Sequence, residues 1–290
     1  METILKTTRK TVIISPDRPT VLIAERINPT GKKRLAAALA DGNLEVVRQE
    51  ALAQVDAGAD VLDVNVGAAG VNEVDVLPRA VQLVMETVDV PICIDSANRD
   101  ALRAALELHR SLAPDGKPLI NSVNGEEASM ARVLPLAAEY KAAVIGLAMD
   151  EGGIPPTAEQ RLAVARKIVQ RAEALGIPRQ DVIIDCLALT VGAESRAGVV
   201  TLDAIRLVRE ELGVNMTLGA SNVSFGLPER EIINWAFLAM TIQRGVNCPI
   251  VDAVKVRPTI LATDLLLGRD DYAIRYLKDY KKRLKSTQGK

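Results

Sequence analysis

Eight short runs rich in Val, Ile, Leu and Ala recur along the chain, each followed by a stretch of helical periodicity. They cover residues 21–27, 61–66, 91–96, 119–123, 142–149, 182–187, 216–223 and 248–253. Their starts are roughly 30 residues apart, the length of one strand-plus-helix unit. Eight such units in succession predict an α/β fold, the (β/α)8 TIM barrel. A doubly wound sheet is the alternative, because periodicity alone does not show closure. Gly58, Gly176, Gly213 and Gly245 each end a helical run just before a strand, as a left-handed C-cap should. No linker divides the chain. It reads as an N-terminal lead over residues 1–20, a barrel over 21–270 and a C-terminal tail over 271–290. In the lead, residues 11–15 form a short strand and 16–19 a turn, placed to hairpin against the barrel and close its bottom. From Lys278 onward the tail is polar and basic. It reads as a solvated, frayed end, with docking to an acidic partner as the sharper alternative.

Composition narrows the class further. Hydrophobic residues make up 48% and charged ones 25%, enough for a sizeable core. Aromatics are only 2%, so the core is aliphatic, as in parallel strands covered by helices. A net charge of −1 argues against a nucleic-acid partner. No apolar run reaches the length of a membrane span, and no signal peptide is read before the fold. Cys93, Cys186 and Cys248 sit singly, without disulfide or metal-ligand spacing, so a reducing cytoplasm and no metal site are expected. By parity Cys93 faces into the barrel and Cys186 faces the helices. His109, the one histidine, is read as a surface residue of a helix.

Polar residues fall where barrel sites are built. Residues of one parity point inward along each strand. The second run carries Asp63 and Asn65 on one parity, the third Asp95, the fourth Asn121. The sixth ends in Asp185, the seventh in Ser221-Asn222, and the fifth leads into Asp150. Each lies toward the C-terminal end of its strand, where barrel enzymes place their chemistry. Ser and Asn also favour turns, so a single polar strand end would mean little. The repetition carries the argument. An unpaired buried carboxylate costs several kcal/mol, and an unpaired amide about 1–3 kcal/mol. Such a set must satisfy itself, line water or bind something polar, and a ligand rich in N–H donors would suit it. No Ser-His pair or Cys/His cluster accompanies it. Gly67-Ala68-Ala69-Gly70 lacks the Lys or further Gly of a phosphate loop.

Seven pieces run in order within a stretch from about residue 21 to 267. They are Ala24-Glu25-Arg26-Ile27-Asn28-Pro29-Thr30-Gly31, Asp63-Val64-Asn65-Val66-Gly67, Cys93-Ile94-Asp95-Ser96, Ile120-Asn121-Ser122, Ile145-Gly146-Leu147-Ala148-Met149-Asp150, Ile184-Asp185 and Ser221-Asn222-Val223-Ser224. On these pieces the chain resembles the pterin-binding methyltransferase family. That family includes methyltetrahydrofolate:corrinoid protein methyltransferases and the folate domain of cobalamin-dependent methionine synthase. The resemblance implies a barrel, usually a homodimer, that binds 5-methyltetrahydrofolate at the strand C-termini. It implies that Asp95, Asn121 and Asp185 hold the pterin ring, and that Asn222 reaches its N5 side. The methyl would pass to Co(I) of a corrinoid (cobalamin) on a separate partner protein, with this chain a stand-alone methyl-transfer subunit of one-carbon metabolism.

Two departures concern the corrinoid partner more than the pterin. Phe225-Gly226 follows Ser-Asn-Val-Ser where some relatives carry a polar residue, and Cys186 rather than Pro follows Asp185. The rival readings are dihydropteroate synthase and a non-catalytic folate-binding barrel. The synthase family's late Ser-x-Arg is not matched by Asp252-Ala253-Val254-Lys255-Val256-Arg257-Pro258.

Overall fold

A computed structural model describes residues 1–288. The chain opens with an antiparallel hairpin, β1 (Thr3–Lys6) and β2 (Thr11–Ile14). The barrel strands follow: β3 (Ile23–Ile27), β4 (Val61–Val64), β5 (Ile92–Asp95), β6 (Leu119–Asn124), β7 (Ala143–Leu147), β8 (Val182–Asp185), β9 (Asn215–Thr217) and β10 (Ile250–Val251). They form one parallel sheet in the order β10-β3-β4-β5-β6-β7-β8-β9. The ring joins where Gly219 bridges Ile250 and the Ile250 N–H donates to the Leu218 carbonyl at 3.1 Å. The fold is the (β/α)8 barrel that the spacing predicts. Around it lie α1 (Lys33–Ala40), α2 (Glu45–Asp56), α3 (Glu73–Thr87), α4 (Arg99–Leu112), α5 (Glu127–Tyr140), α6 (Ala158–Ala174), α7 (Ala197–Leu212), α8 (Arg230–Arg244) and α9 (Ala253–Leu266). A last helix, α10, covers Ile274–Gln288.

Alternation within each strand builds two cores. Outward residues such as Leu62, Ile94, Val144 and Ile184 pack under the helices, where Cys186 also lies. Inward residues such as Ile23, Val61, Cys93, Leu119, Ile183 and Cys248 fill the barrel's lower half. Each aliphatic side chain so buried is worth about 1.5–3 kcal/mol. Gly146 brings α6 close to β7: a Cβ there would lie 2.9 Å from Ile168 Cγ2. The four glycines expected to end helices all carry positive φ, from 64° at Gly213 to 143° at Gly245.

The N-terminal hairpin plugs the barrel floor. Leu5, Val12 and Ile14 join the same apolar cluster as the lower inward residues. Asn215, inward at the start of β9, donates to Thr3 Oγ1 at 2.8 Å and to the Ile14 carbonyl at 3.0 Å. Its own Oδ1 accepts from Asn247 Nδ2 at 2.7 Å. The floor amides are thereby satisfied, which removes the penalty of about 1–3 kcal/mol that each would otherwise carry.

Three expectations need correction. Six of the eight strand runs overshoot at their C-terminal ends. The seventh is the clearest case: β9 stops at Thr217, and Ala220–Ser224 is a 3-10 turn, because the Gly219 N–H turns to the Asp185 carboxylate instead of extending a ladder. The segment read as a frayed tail is helical as α10, docked by Lys282 on Asp56 at 2.6 Å and by Arg275 on buried Asp264 at 3.1 Å; residues 289–290 lie outside the described residues. His109 is buried, because it falls on the inner stripe of α4 with Ala101, Leu102, Ala105 and Leu106. Burial there pushes its imidazole pKa down to about 4. Among the described residues, no helix is long and apolar enough to cross a membrane.

Candidate functional site

The strand C-termini open into a polar mouth with two arcs. The first arc spans β4, β5 and β6. Asp63 is buried at the end of β4, and its Oδ1 accepts from Asn121 Nδ2 at 3.1 Å. Asp95 lies between them on β5, in register with Asn121 and close enough to Asn65 and Asp63 for both to pull its pKa down. Asn65 Oδ1 also accepts from the Gly67 N–H at 2.8 Å, which fixes the amide's orientation. Burial, then the Asp95 charge, pushes Asp63 well above the carboxylate range, while Asn121 and the Cys93 thiol pull it back. Burial also lifts Asp95 to about 6. Two close carboxylates cannot both ionise cheaply, so they share a proton, held mainly by Asp63.

The second arc spans β8 and the turn after β9. Asp185 is buried, and it accepts from the Leu187 N–H at 2.7 Å and the Gly219 N–H at 3.4 Å. Burial raises it to about 6 against those two donors. Leu187 is left-handed at φ 61°, a costly state for this residue type. Buried Arg161 holds it there, donating to the Leu187 carbonyl at 2.9 Å and the Cys186 carbonyl at 3.0 Å. Asn222 stands on the 3-10 turn with an exposed side chain. Its amide folds back so that Nδ2 would lie 3.5 Å from a Cβ on Gly219. Arg230 staples this turn through the Ser221 carbonyl at 2.9 Å and Ser224 Oγ at 3.0 Å, and Asn234 accepts from Ser224 at 2.7 Å.

The structure thus brings Asp63, Asn65, Asp95 and Asn121 side by side on one arc, with Asp63 and Asn121 hydrogen-bonded to each other, and Asp185, Ser221 and Asn222 on a second arc. Asp150 takes a local role: its Oδ1 accepts from the Gly152 N–H at 2.9 Å and shapes its own turn. Two carboxylates escaped the sequence reading. Glu25 on β3 and Asp252 after β10 both line a cavity of about 250 Å³, with Ser221, Asn234, Trp235 and Lys255. The parity rule that picks out Asp63 from Val61 also picks out Glu25 from Ile23 and Asp252 from Ile250. Arg161 was missed because its partners are the Thr201 hydroxyl and three carbonyls, and carbonyls leave no mark in a sequence. Among the described residues, no group of His, Cys, Asp or Glu is arranged to hold a metal ion.

Comparison with known proteins identifies the family. A family profile described as pterin binding enzyme matches residues 24–252. The methylcorrinoid:tetrahydrofolate methyltransferase of Eubacterium limosum is 30% identical over 270 residues, covering 90% of this chain and 96% of that protein. Methionine synthase of Mycobacterium leprae is 34% identical over 262 residues, covering 86% of this chain and 21% of the much longer synthase. Among solved structures, a Yersinia pestis dihydropteroate synthase with a bound pterine-sulfa conjugate superposes with TM-score 0.67 at 16% identity. That match covers 92% of this chain and 99% of the synthase, a likeness of fold alone.

Proposed function

Because the chain belongs to the pterin binding enzyme family, we propose that it is a methyltransferase acting between 5-methyltetrahydrofolate and a corrinoid. The methyl moves between N5 of the folate and the cobalt of a corrinoid carried by a partner protein. One observation carries this reading: Asp63, Asn65, Asp95, Asn121 and Asp185 converge on one mouth with more acceptors than the protein's own donors satisfy. A reduced pterin presents a row of ring N–H and amino donors that matches such a set. Asp95, Asn121 and Asp185 hold the ring, Asp63 and Asn65 orient Asp95, and Ser221 belongs to the rim. The same reading makes the protein a homodimer working in the cytoplasm.

A neutral tertiary amine leaves poorly, so N5 must gain positive charge before its methyl departs. Help of this kind is worth about 10²–10⁴-fold. Asn222 is no acid, but its amide oxygen, turned toward protonated N5, stabilises that form more in the transition state than in the ground state. The exposed turn that carries it lets the amide swing over a bound ring. The likeness to dihydropteroate synthases extends to the fold and supplies no argument for that condensation.

The test is direct. Incubation with 5-methyltetrahydrofolate and reduced free cobalamin is expected to yield methylcobalamin, read by absorbance. Folate binding without methyl transfer would overturn the enzyme assignment and leave a carrier. Condensation of a pterin pyrophosphate with p-aminobenzoate would replace it with a synthase.

A further inference from the structure

Glu25 stands two residues past inward-facing Ile23, so its carboxyl enters the mouth instead of packing under the helices. It is half-buried, and among the described residues no hydrogen bond or ion pair reaches it. Only charges at longer range act on it: Asp252, Lys32, Arg26 and Arg230. Neighbouring carboxylates are better provided for. Asp252 lies 3.5 Å from Arg26 and caps α9 through the Val254 N–H at 3.2 Å. A partly desolvated carboxyl without a donor is costly to keep ionised.

Its position links the two arcs. On one side it borders the cavity of about 250 Å³ with Ser221, Asn234 and Asp252. On the other its charge is felt by Asp63 at the head of the first arc. A second inward group is also without a partner: Thr217 Oγ1, fully buried on β9 in register with Asp185. The mouth therefore holds a carboxyl and a hydroxyl that the protein leaves unsatisfied.

We propose that Glu25 is the proton store of this site, a role that rests on the methyl-transfer reading. As a neutral acid it gives its proton, through water, to N5. The N5–methyl bond then breaks with its electron pair left on nitrogen, which keeps the proton as a neutral N–H. The methyl carbon bonds to the electron pair of Co(I), which becomes methyl-Co(III), and Glu25 is left as a carboxylate. In the reverse direction the carboxylate takes the N5 proton back. The surroundings suit both forms. Burial, then Asp252, pushes the carboxyl up to about 7, while Lys32, Arg26 and Arg230 hold it from rising further. Asp63 faces it from β4, and Glu231 and Lys255 border the same cavity from α8 and α9.

The test measures kcat/KM with free cobalamin in both directions, from about pH 5.5 to about 8.5. For the wild type, transfer from 5-methyltetrahydrofolate should fall as pH rises through about 7, and transfer from methylcobalamin to tetrahydrofolate should rise through the same region. Glu25→Gln should lose that inflection in both directions and drop about 10²-fold at neutral pH. Glu25→Asp should keep an inflection but move it, with a smaller loss. Wild-type inflections in Glu25→Gln, or an unmoved one in Glu25→Asp should the glutamine variant fail to fold, would overturn the role. Absence of any transfer by the wild type would instead remove the methyltransferase reading, so the two failures are distinguishable.

Discussion

Asn121 Nδ2 reaches Asp63 Oδ1 at 3.1 Å across β5, the strand that lies between theirs. That donor occupies one oxygen of Asp63, so Asp95, less buried than Asp63, is the carboxylate of this arc best placed to meet a ligand. Replacing Asp95 by Asn exchanges a charged acceptor for a neutral one. Hydrogen bonds to charged groups are worth about 1.5–3 kcal/mol, so 5-methyltetrahydrofolate should bind about 10- to 100-fold more weakly. Titration calorimetry showing wild-type affinity would remove Asp95 from the pterin contacts.

Asn222 is expected to matter for rate more than for binding. Its side chain is exposed on a turn that Arg230 and Asn234 hold in place, so truncation leaves the backbone intact. Asn222→Ala should lower kcat/KM for methyl transfer by about 10²-fold or more, with a much smaller change in folate affinity. An unchanged kcat/KM refutes its role at N5.

Asp185 should trade stability for function. Its carboxyl titrates at about 6 in the fold, against an ordinary value near 3.8. A raised carboxylate pKa favours the folded state when protonated, so its contribution is fully present below about pH 4 and is lost as pH rises through 6. Ionised and unliganded at pH 7.5, it costs roughly 3 kcal/mol relative to the neutral acid. Asp185→Asn keeps an oxygen for the Leu187 N–H and removes the charge. Urea unfolding should show a gain of about 1–2 kcal/mol at pH 7.5 that shrinks near pH 5. An equal change at both pH values contradicts the burial argument.

His109 works with the opposite sign. Its folded pKa, about 4, lies below the ordinary 6.5, so the neutral ring is the favoured buried form. Its contribution is present above about pH 6.5 and is lost as pH falls, by roughly 3 kcal/mol once below pH 4. Comparing wild type with His109→Leu by chemical unfolding between those limits isolates the term from the carboxylates. The difference between the two proteins should change steadily over that window, and a constant difference refutes the assignment.

The barrel was legible because its two periodicities are coarse: strand parity and a repeat of about 30 residues survive without knowledge of any contact. The same parity placed Asp63, Asp95, Asn121 and Asp185 on the inward face. Asn222 shows where local reading stops. Its run continues the apolar pattern of a strand, yet the Gly219 N–H finds the Asp185 carboxylate 34 residues away, and the chain turns. His109 misled because polarity suggested surface while helical phase put it on the buried stripe. Arg161 and Leu187 were out of reach, since a guanidinium on three backbone carbonyls is a relation of distant segments.

The hairpin beneath the strands leaves this vessel with a single doorway. Whatever settles deepest must go in first and come out last, and a large visitor arriving early bars the way. On the methyl-transfer reading, steady-state kinetics should therefore show compulsory order, folate ahead of corrinoid carrier.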